Sequence, residues 1–252
     1  MMQFPDILNL AKGFRQYFRL VVATSDELRQ EAFRIRHKVY CKELGWEPVR
    51  ADGMESDEFD AHSLHLLIQA VNGGDFIGCT RIVRPRPDDP AHPLPFEHAC
   101  AQSLDRALCD PARMPRDRIA EVSRLAVISR YRRRKGEDKK PVAVNDEDFG
   151  TPQQPRFPYI PVGLYLGTLE LARLSGLNTL FMLTEPHLAS HFGKFGVTIT
   201  RIGSPVEHRG KRIPSMMDAH GILGNLPRLV RPLYRELAKE VGAGVSSIPL
   251  AS

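Results

Sequence analysis

The stretch E-V-S-R-L-A-V-I-S-R, residues 121–130, combines polar groups that could do chemistry with the apolar run of a buried strand. Glu121, Ser123 and Arg124 supply a carboxylate, a hydroxyl and a guanidinium directly before Leu125-Ala126-Val127-Ile128. A charged group that enters a core strand costs roughly several kcal/mol unless it is paired. The stretch therefore indicates ion-pair or acid–base chemistry at the edge of a sheet.

Further polar residues lie at the predicted edges of other elements, with arginines and carboxylates in comparable number. Because bidentate arginine–carboxylate pairs make semi-buried charge tolerable, three arginines and three carboxylates could form one paired network. Arg124 could hold Glu121 ionised or pair with an acid of the loop at Asp57 and Asp60. A purely structural Glu121–Arg124 ion pair is the competing interpretation. The full set is Arg36, Trp46, Asp57, Asp60, Arg81, Glu121, Ser123 and Arg124.

The elements that must position these residues follow from hydrophobic periodicity and turn residues. Hairpin-linked strands come first and helix-linked strands later, which predicts an α/β fold with a mixed, twisted sheet flanked by helices. A short helix is predicted around Glu97–Leu108. The predicted strands are 18–24, 62–70, 76–83, 119–128, 179–184, 197–202 and 212–217, and the longer helices are 26–44, 162–174, 186–195 and 226–241.

The chain of 252 residues is predicted to form one domain over 18–242, with excursions at 84–118 and 130–158 and a loose tail at 243–252. Residues 1–17 predict an amphipathic helix that either docks on the body of the protein or makes peripheral contact with a membrane surface. No apolar run reaches the roughly 18 residues of a membrane span, and the N-terminus does not read as a secretion signal.

The cysteine content and net charge of the chain indicate its cellular compartment and the charge of its partners. The four cysteines lack C-x-x-C spacing, so neither a zinc site nor a disulfide framework is expected, and free thiols fit a reducing cytoplasm. His187 and His191 lie one helical turn apart without a third ligand, so no metal site is expected. The net charge of +5 favours an acidic partner.

Nine residues in order resemble the acyl-homoserine-lactone synthases. The segments are R-I-R-H-K-V-Y-C-K-E-L-G-W, E-S-D-E-F-D, G-C-T-R-I-V and E-V-S-R-L-A-V. In that family an arginine is followed by an aromatic residue, a tryptophan, an Asp-x-x-Asp pair, a strand arginine and Glu-x-Ser-Arg. The resemblance implies a GNAT-like acyl-CoA N-acyltransferase fold. The matching positions are Arg36, Tyr40, Trp46, Asp57, Asp60, Arg81, Glu121, Ser123 and Arg124.

The sequence departs from that family at Tyr40, where the family usually has phenylalanine, and in the longer segment between Arg81 and Glu121. The second half, with F-P-Y-I-P-V-G-L-Y-L-G-T-L-E-L-A and G-S-P-V-E-H-R-G-K-R-I-P, is similar to the related N-acyl amino acid synthases of PEP-CTERM/exosortase systems. This resemblance implies an acyl-carrier-protein phosphopantetheine thioester as donor, an amino acid as acceptor and no bound cofactor. A lactone synthase that uses S-adenosylmethionine is the alternative.

Acylation of an amino acid from a thioester requires a neutral amine, a polarised carbonyl and a leaving thiolate. Because the amine is mostly protonated at pH 7, a base must take its proton, and Glu121 is the predicted base, with Arg124 and Ser123 beside it. Backbone N–H groups of a bulge over 125–128 are predicted to stabilise the oxyanion. Arg81 and Arg212 are predicted to bind the acceptor's carboxylate. The predicted substrate-binding set is Arg36, Tyr40, Trp46, Asp57, Asp60, Arg81 and Arg212.

Two further sites are predicted beside this centre. An apolar slot for the acyl tail is expected at Leu125, Val127, Phe181, Leu183 and Phe192, with plain core packing as the alternative. The basic run R-Y-R-R-R-K-G-E-D-K-K places Glu137 and Asp138 where a CoA pyrophosphate would bind in CoA-dependent GNAT enzymes, which disfavours CoA as the main donor. An acidic carrier protein is expected to dock at Arg130, Arg132, Arg133, Arg134 and Lys135.

Other readings of the basic run remain open. A solvated loop is the ordinary interpretation of a charge run. Nucleic-acid binding through phosphates is a remote alternative, since no recognised motif follows the run and Tyr131 is its one aromatic residue.

Overall fold

An eight-stranded mixed sheet with helices on both faces forms the centre of the protein. The computed structural model describes residues 4–132, 150–151, 154–155, 157–185 and 198–247. The helices are α1 Phe4–Tyr17, α2 Asp26–Arg36, α3 Pro95–Ala99, α4 Tyr159–Leu174, α5 Ala219–Gly224 and α6 Arg231–Ser246. The strands are β1 Phe18–Val22, β2 Ser63–Ala70, β3 Phe76–Val83, β4 Ile119–Val127, β5 Gly150–Thr151, β6 Gln154–Pro155, β7 Thr179–Thr184, β8 Thr200–Arg201, β9 Val206–Glu207 and β10 Lys211–Asp218.

The strand order is β1-β2-β3-β4-β7-β10-β8, with β9 also on β10 and β5–β6 forming a separate small ribbon. β4 and β7 pair in parallel, and the other neighbours pair antiparallel. The β4–β7 register runs only from Ile119↔Thr179 to Glu121↔Phe181. Since both strands continue past those pairs, to Val127 and Thr184, a gap opens in the sheet directly after Glu121.

Helices α2 and α4 cover opposite faces of the sheet. Cys79 on β3 contacts the Ala32 carbonyl of α2, and its cross-strand partner on β2 is Leu67. Gly167 of α4 packs against Leu66, the neighbour of Leu67 on β2. Because successive strand residues point to opposite faces, α2 lies over one face and α4 over the other. Arg81, two residues after Cys79, therefore lies on the α2 face.

Two apolar clusters fill the protein. The larger joins the sheet to α1, α2, α4 and α6. The smaller lies beneath the excursion 84–118, where Phe96 stacks on Phe181 with ring centroids 4.6 Å apart. This excursion is therefore packed on the sheet by its own apolar residues.

Most predicted elements are present, with differences at their ends. The strands predicted at 76–83 and 179–184 have those bounds. The Ser25 side chain caps α2 by accepting from the Leu28 N–H. The helix predicted at 26–44 continues beyond Arg36 as a π-helix over His37–Glu43, and Gly45 follows with φ +63°. The helix predicted at 97–108 ends at Ala99. The predicted helix 186–195 lies outside the described residues.

The last helix was predicted at 226–241 and lies at Arg231–Ser246. Pro232 lies in the first turn of this helix. An N–H group at that position would have no acceptor within the helix, so proline loses no hydrogen bond there and favours the later start. At the other end, Gly244 packs closely on Val22, which keeps the helix on the sheet beyond residue 242, where a loose tail was predicted. No helix among the described residues is long and apolar enough to cross a membrane.

Candidate active site

A cavity of about 330 Å³ occupies the gap between β4 and β7. Its lining comes from both faces of the sheet, with Tyr40 and Trp46 on the α2 side and Tyr165 from α4 on the other. β4 contributes the residues from Glu121 to Leu125, and β7 those from Met182 to Thr184. The loss of β4–β7 pairing after Glu121 thus creates the space that the chemistry-bearing residues surround.

Three arginines and three carboxylates form an ion-pair network on the α2 side of the cavity. Arg36 binds Asp60 through two nitrogens, at 2.6 and 3.0 Å, and also binds Glu55. Arg81 Nη1 lies 2.6 Å from Asp57 and 2.8 Å from Asp60. The prediction of a three-by-three network is therefore correct in number, but its third carboxylate is Glu55 rather than Glu121.

Arg124 is the third cation of this network. Its guanidinium lies 3.1 Å from Asp57 and 3.2 Å from Glu55, and it extends to 3.7 Å from Glu47. Of the two roles predicted for Arg124, the geometry matches the pairing with the acidic loop. Arg124 has φ +53°, a left-handed conformation that non-glycine residues adopt rarely and that is found where the surroundings hold it.

Local turn chemistry places the two aspartates. Asp57 caps the 3₁₀ helix Glu58–His62, accepting from the Phe59 N–H at 3.0 Å, and Asp60 accepts from the Asp57 N–H at 2.8 Å. This capping box uses the same carboxylates that bind Arg36 and Arg81. The Asp-x-x-Asp spacing is thus explained by a turn that aims both carboxylates at the arginines.

The pairing fixes the charge of these groups. Burial raises the pKa of Asp60, but the hydrogen bonds and charges of Arg36 and Arg81 outweigh burial and hold that pKa well below its ordinary value. The balance has the same sign at Glu55 and Asp57, whose pKa values are also lowered. All three carboxylates are therefore ionised at neutral pH.

Glu121 behaves differently. Its side chain lines the cavity, is 5% exposed and accepts a hydrogen bond from the Phe96 N–H at 2.7 Å. Burial raises the pKa of Glu121 to about 7, against the opposing effects of that hydrogen bond and of the Arg81 and Arg124 charges. Ser123, two residues on, is 3.2 Å from Arg81 Nε and also lines the cavity. Glu121 can therefore exchange a proton with a bound molecule near neutral pH.

A stack of side chains forms one wall of the cavity. Tyr40 packs on Trp46 with ring centroids 6.0 Å apart and an interplanar angle of 23°. The Arg124 guanidinium lies 5.7 Å from the centre of the Tyr40 ring, and that of Arg212 lies 6.0 Å from the centre of the Trp46 ring. The π-helical turn at 37–43 supplies Tyr40, and π-helical turns are frequent at functional sites.

Two ion pairs span the mouth of the cavity. Arg209, in the turn between β9 and β10, binds Glu47, which follows Trp46. Arg212 at the start of β10 lies 2.8 Å from Glu185 at the end of β7. We call these two pairs and the Arg212–Trp46 contact the mouth latch. It holds the β9–β10 hairpin against the loop that follows the π-helix.

The structure brings most predicted substrate-binding residues together but buries two of them. Tyr40, Trp46, Asp57, Arg81 and Arg212 line the cavity. Arg36 is 0% exposed and Asp60 is 8% exposed, and neither lines the cavity, so they support the network from behind. Arg81 is 1% exposed and both aspartates occupy it, so an acceptor carboxylate would have to compete with them.

The residues predicted to form an apolar slot lie in different places. Leu125 and Leu183 line the cavity, together with Val122, Met182 and Met217. Phe181 and Val127 do not, because Phe181 faces the smaller core cluster and Val127 packs in the larger one. Phe192 lies outside the described residues. The bulge predicted at 125–128 begins one residue earlier, at Arg124 and Leu125, which together face Thr80 between the pairs Cys79↔Ala126 and Arg81↔Ser123.

The predicted docking run is described only at its beginning. Arg130 is exposed and pairs with Asp75 at 2.5 Å. Arg132 is not an exposed docking cation: its side chain is 4% exposed and binds Glu43. The reason is the turn Ser129–Tyr131, which folds the chain back onto the end of the π-helix, where Glu43 also accepts from Ser129. Arg133, Arg134 and Lys135 lie outside the described residues.

Sequence reasoning missed several residues of the site. Glu55 belonged to an acid-rich loop in which nothing distinguished it from its neighbours, and Glu47 and Arg209 pair across more than 160 residues. Tyr165 and Met217 reach the cavity from the α4 side, which their apolar surroundings in sequence did not indicate. These residues come together only in the folded structure.

Known proteins agree with this architecture. Residues 35–139 match the family model of the acetyltransferase (GNAT) domain. An acyl-homoserine-lactone synthase of Pseudomonas aeruginosa is 23% identical over 187 residues, which cover 73% of this chain and 75% of that enzyme. One of Vibrio anguillarum is 38% identical over 50 residues, so the match spans 20% of this chain and 26% of that enzyme.

Solved structures with the same fold include enzymes of two kinds. The CoA-dependent acyl-homoserine lactone synthase BjaI, solved with SAM and isopentyl-CoA, has a TM-score of 0.54 at 16% identity and covers 91% of this chain and 99% of its own. FeeM, an N-acyl amino acid synthase from uncultured soil microbes, has a TM-score of 0.52 at 15% identity and covers 83% and 94%.

The chain therefore has a GNAT-like fold, as predicted, and residues 35–139 match the model of the acetyltransferase (GNAT) domain. In sequence, the chain is similar to the two acyl-homoserine-lactone synthases described above.

Proposed function

We propose that the protein is an N-acyltransferase that moves a long-chain acyl group from an acyl-carrier-protein thioester to the amine of an amino acid. The observation that carries the proposal is the environment of the Glu121 carboxyl group in the cavity. Among the described residues, the acids that line the cavity are Asp57, Glu121 and Glu185, and Glu121 is the one without an arginine within ion-pair distance. A buried carboxylic acid that titrates near pH 7 is suited to general-base catalysis.

The reaction follows from the groups around Glu121. The ionised Glu121 carboxylate accepts a proton from the acceptor's amine, directly or through a water molecule. The neutral amine nitrogen then forms a bond to the thioester carbonyl carbon, the carbon–sulfur bond breaks, and the second proton that this nitrogen loses passes to the leaving thiolate. The product is an amide and a free thiol, so no oxidant, reductant or metal enters the balance.

The gap between β4 and β7 suits a phosphopantetheine arm. That arm carries two amide groups on an extended chain, and such a chain can pair with a strand edge in the way an added strand does. The edge of β4 beyond Glu121 has no β7 partner in the observed register. Placing the arm there brings its thioester next to Glu121, with the acyl tail toward Val122, Leu125, Met182 and Met217.

The acceptor's carboxylate is expected at the mouth latch. Arg212 and Arg209 are partly exposed, with 13% and 27% of their side chains accessible, whereas Arg81 is fully committed to Asp57 and Asp60. A carboxylate that replaces Glu185 or Glu47 at one of these arginines keeps the charge balanced. This proposal retains Arg212 from the sequence prediction and adds Arg209.

The proposal that a carrier protein is the acyl donor rests on the positive charge of this protein. The net charge is +5, and Lys38 and Lys42 are exposed on the π-helical turn that carries Tyr40. An acidic carrier protein would be attracted to such a surface. The association with PEP-CTERM/exosortase systems and a cytoplasmic location stay predictions from the sequence resemblance.

A lactone synthase that uses S-adenosylmethionine is the second candidate, because both sequence relatives described above are acyl-homoserine-lactone synthases. It would share the amide-forming step at Glu121 and add closure of a lactone ring. In that closure an oxygen of the acceptor's own carboxylate bonds to the γ-carbon, the carbon–sulfonium bond breaks, and methylthioadenosine leaves.

Product analysis by mass spectrometry separates the candidates. The purified protein is incubated with long-chain acyl-carrier protein or acyl-CoA, a pool of amino acids and S-adenosylmethionine. A mass equal to the fatty acid plus one amino acid minus water supports the proposal, and an acyl-homoserine lactone supports the second candidate. Comparison of the two donors tests the carrier-protein assignment. Absence of any acylated amine with either donor contradicts both candidates.

The variant pair Glu121→Gln and Glu240→Gln tests the base. Glu240 on α6 is a matched control because it is also a carboxylate whose pKa is raised by burial, but it accepts from the Leu20 N–H at 2.8 Å away from the cavity. Turnover should be lost only in Glu121→Gln.

A further inference from the structure

Tyr40 makes a contact that the proposed reaction does not use. Its hydroxyl donates a hydrogen bond to the Leu125 carbonyl at 3.0 Å, across 85 residues of sequence. The side chain is buried, and it lines the cavity between β4 and β7. Burial also raises the pKa of Tyr40 well above its ordinary value, so the phenol stays protonated and remains a donor.

The acceptor of this hydrogen bond lies in the bulge of β4. Arg124 and Leu125 together face Thr80 of β3, since the register passes from Arg81↔Ser123 to Cys79↔Ala126. Arg124 is in the left-handed region, with φ +53°. A strained bulge persists only where its surroundings hold it, and bulges serve to re-aim side chains next to active sites.

Tyr40 holds this bulge through two kinds of contact. Its hydroxyl fixes the Leu125 carbonyl, and its ring lies under the Arg124 guanidinium at 5.7 Å. Tyr40 is itself fixed, because its carbonyl accepts from the N–H groups of Trp46 and Glu47 at 2.7 and 3.1 Å and its ring stacks on Trp46. The π-helix is thereby tied to the part of β4 that pairs with β3 but has no β7 partner.

We propose that Tyr40 is a positioning residue whose hydroxyl fixes the Arg124–Leu125 bulge in the conformation that acyl transfer requires. This inference rests on the proposed function, because the bulged part of β4 is the wall on which the donor's thioester would lie beside Glu121. Tyr40 acts through the backbone of β4 and takes no part in proton transfer.

The variant Tyr40→Phe removes the hydroxyl and leaves the ring, with its contacts to Trp46 and Arg124. Tyr234→Phe is the matched control, since Tyr234 donates to Glu170 at 2.6 Å between α6 and α4 and does not line the cavity. Amide hydrogen exchange over 122–127 is measured in both variants and in the unchanged protein. Faster exchange there in Tyr40→Phe alone is expected, and unchanged exchange overturns the inference whatever the activity.

Steady-state kinetics test the functional half. In Tyr40→Phe, kcat is expected to fall by about 5- to 50-fold, because a small misplacement of reacting groups is enough for such a loss. The acceptor's KM should change little, and the pH profile should keep its shape because Glu121 is untouched. Unchanged kcat with faster exchange would show a bulge that moves without effect on the chemistry, and would overturn the functional role of Tyr40. If the unchanged protein forms no amide, the proposed function fails, and the exchange data still decide whether Tyr40 holds the bulge.

Discussion

Among the residues that the structure describes, the charged side chains around the cavity separate into paired groups and one acid without an arginine partner. Five arginines bind five carboxylates in the network and the mouth latch: Arg36, Arg81, Arg124, Arg209 and Arg212 with Glu47, Glu55, Asp57, Asp60 and Glu185. The charges of these ten residues cancel. Glu121 is therefore the described acid whose protonation would change the net charge of the site near neutral pH.

The variant Glu121→Gln should lower kcat/KM by about a hundred- to ten-thousandfold, the usual contribution of a positioned base. In the unchanged protein, activity should rise with pH through the Glu121 pKa of about 7, because the ionised form is the active one. A pH–rate profile of the acyl transfer checks both statements. An activity that falls as pH rises from 6 to 8 would assign the carboxylic acid, not the carboxylate, to the reaction.

The substitution Glu121→Gln, which should lower activity, should raise the stability of the fold at pH 8. The pKa of Glu121 is raised in the folded state, so the unfolded chain releases this proton first and stability falls as pH rises from the unfolded pKa of the acid through about 7. Glu121→Gln removes that loss and should be more stable than the unchanged protein by about 1–3 kcal/mol at pH 8, with a smaller difference at pH 5. Urea unfolding at the two pH values measures it. A Gln variant that is less stable at pH 8 than at pH 5, relative to the unchanged protein, would contradict the raised pKa.

Asp60 should behave in the reverse way. Asp60→Asn leaves Arg36 and Arg81 buried with one carboxylate fewer, which should cost about 3–5 kcal/mol at neutral pH. Since the folded-state pKa of Asp60 is depressed, its contribution is present above the unfolded pKa and is lost as pH falls. The difference from the unchanged protein in urea unfolding should shrink below about pH 4. Glu58→Gln is the control, because Glu58 is exposed in the same turn and pairs only with Arg86.

Sequence reasoning identified five of the six residues of the network, but it did not identify Glu55 as the third carboxylate. Arg36, Asp57, Asp60, Arg81 and Arg124 were all predicted to lie together, since semi-buried charges need partners. Glu121 was placed in the network because it shares a strand with Arg124. On that strand, however, the bulge turns Arg124 toward the acidic loop while Glu121 accepts from the Phe96 N–H. The predicted bulge began one residue later, at Leu125, and so did not include Arg124.

At the level of elements, the mouth latch joins parts of the chain that lie far apart in sequence. Arg209 is in the left-handed region at φ +54° in the β9–β10 turn, and Glu47 follows the π-helix. The substitution Arg209→Ala should raise the acceptor's KM more than it lowers kcat, because the latch is away from Glu121 but holds the wall that the acceptor contacts. A double-mutant cycle with Glu47→Gln should give a coupling energy of about 0.5–1.5 kcal/mol in unfolding, modest because both side chains are partly exposed.

Lys211→Ala on the same hairpin controls for general effects, since Lys211 is exposed. Additive effects of Arg209→Ala and Glu47→Gln would mean that the latch does not act as a unit.

The sequence predicted regular elements well and their irregular ends poorly. Alternating and continuous apolar runs gave β3 and β7 their correct bounds. The π-helix at 37–43 has the same periodic apolar residues as an α-helix, so hydrophobic pattern alone cannot separate the two forms. The gap after Glu121 depends on which strand lies beside β4, and strand order is a property of the whole sheet.

For the whole molecule, α1 forms part of the packed body. Phe14 is 0% exposed and packs against Gly163 of α4, where an added Cβ would lie 2.6 Å from the ring. The described part of the apolar face of α1 is thus directed to the protein, as the docked alternative predicted. Phe14→Ala should cost about 3–5 kcal/mol and lower Tm, whereas Tyr17→Ala on the exposed side of the same helix should change little. Thermal unfolding of both variants distinguishes a structural helix from an appended one.

The short seam between β4 and β7 divides the sheet into two antiparallel blocks, β1–β4 and β7–β10, that share only the pairs from Ile119↔Thr179 to Glu121↔Phe181. Separation of the blocks breaks few ladder hydrogen bonds, so native-state opening should occur preferentially along this line. A donor arm that pairs with both strands would supply the missing rungs of the ladder. By mass action, the donor would then stabilise the closed form of the fold in proportion to its affinity, and the product amide, once free of the arm, would leave the seam open again.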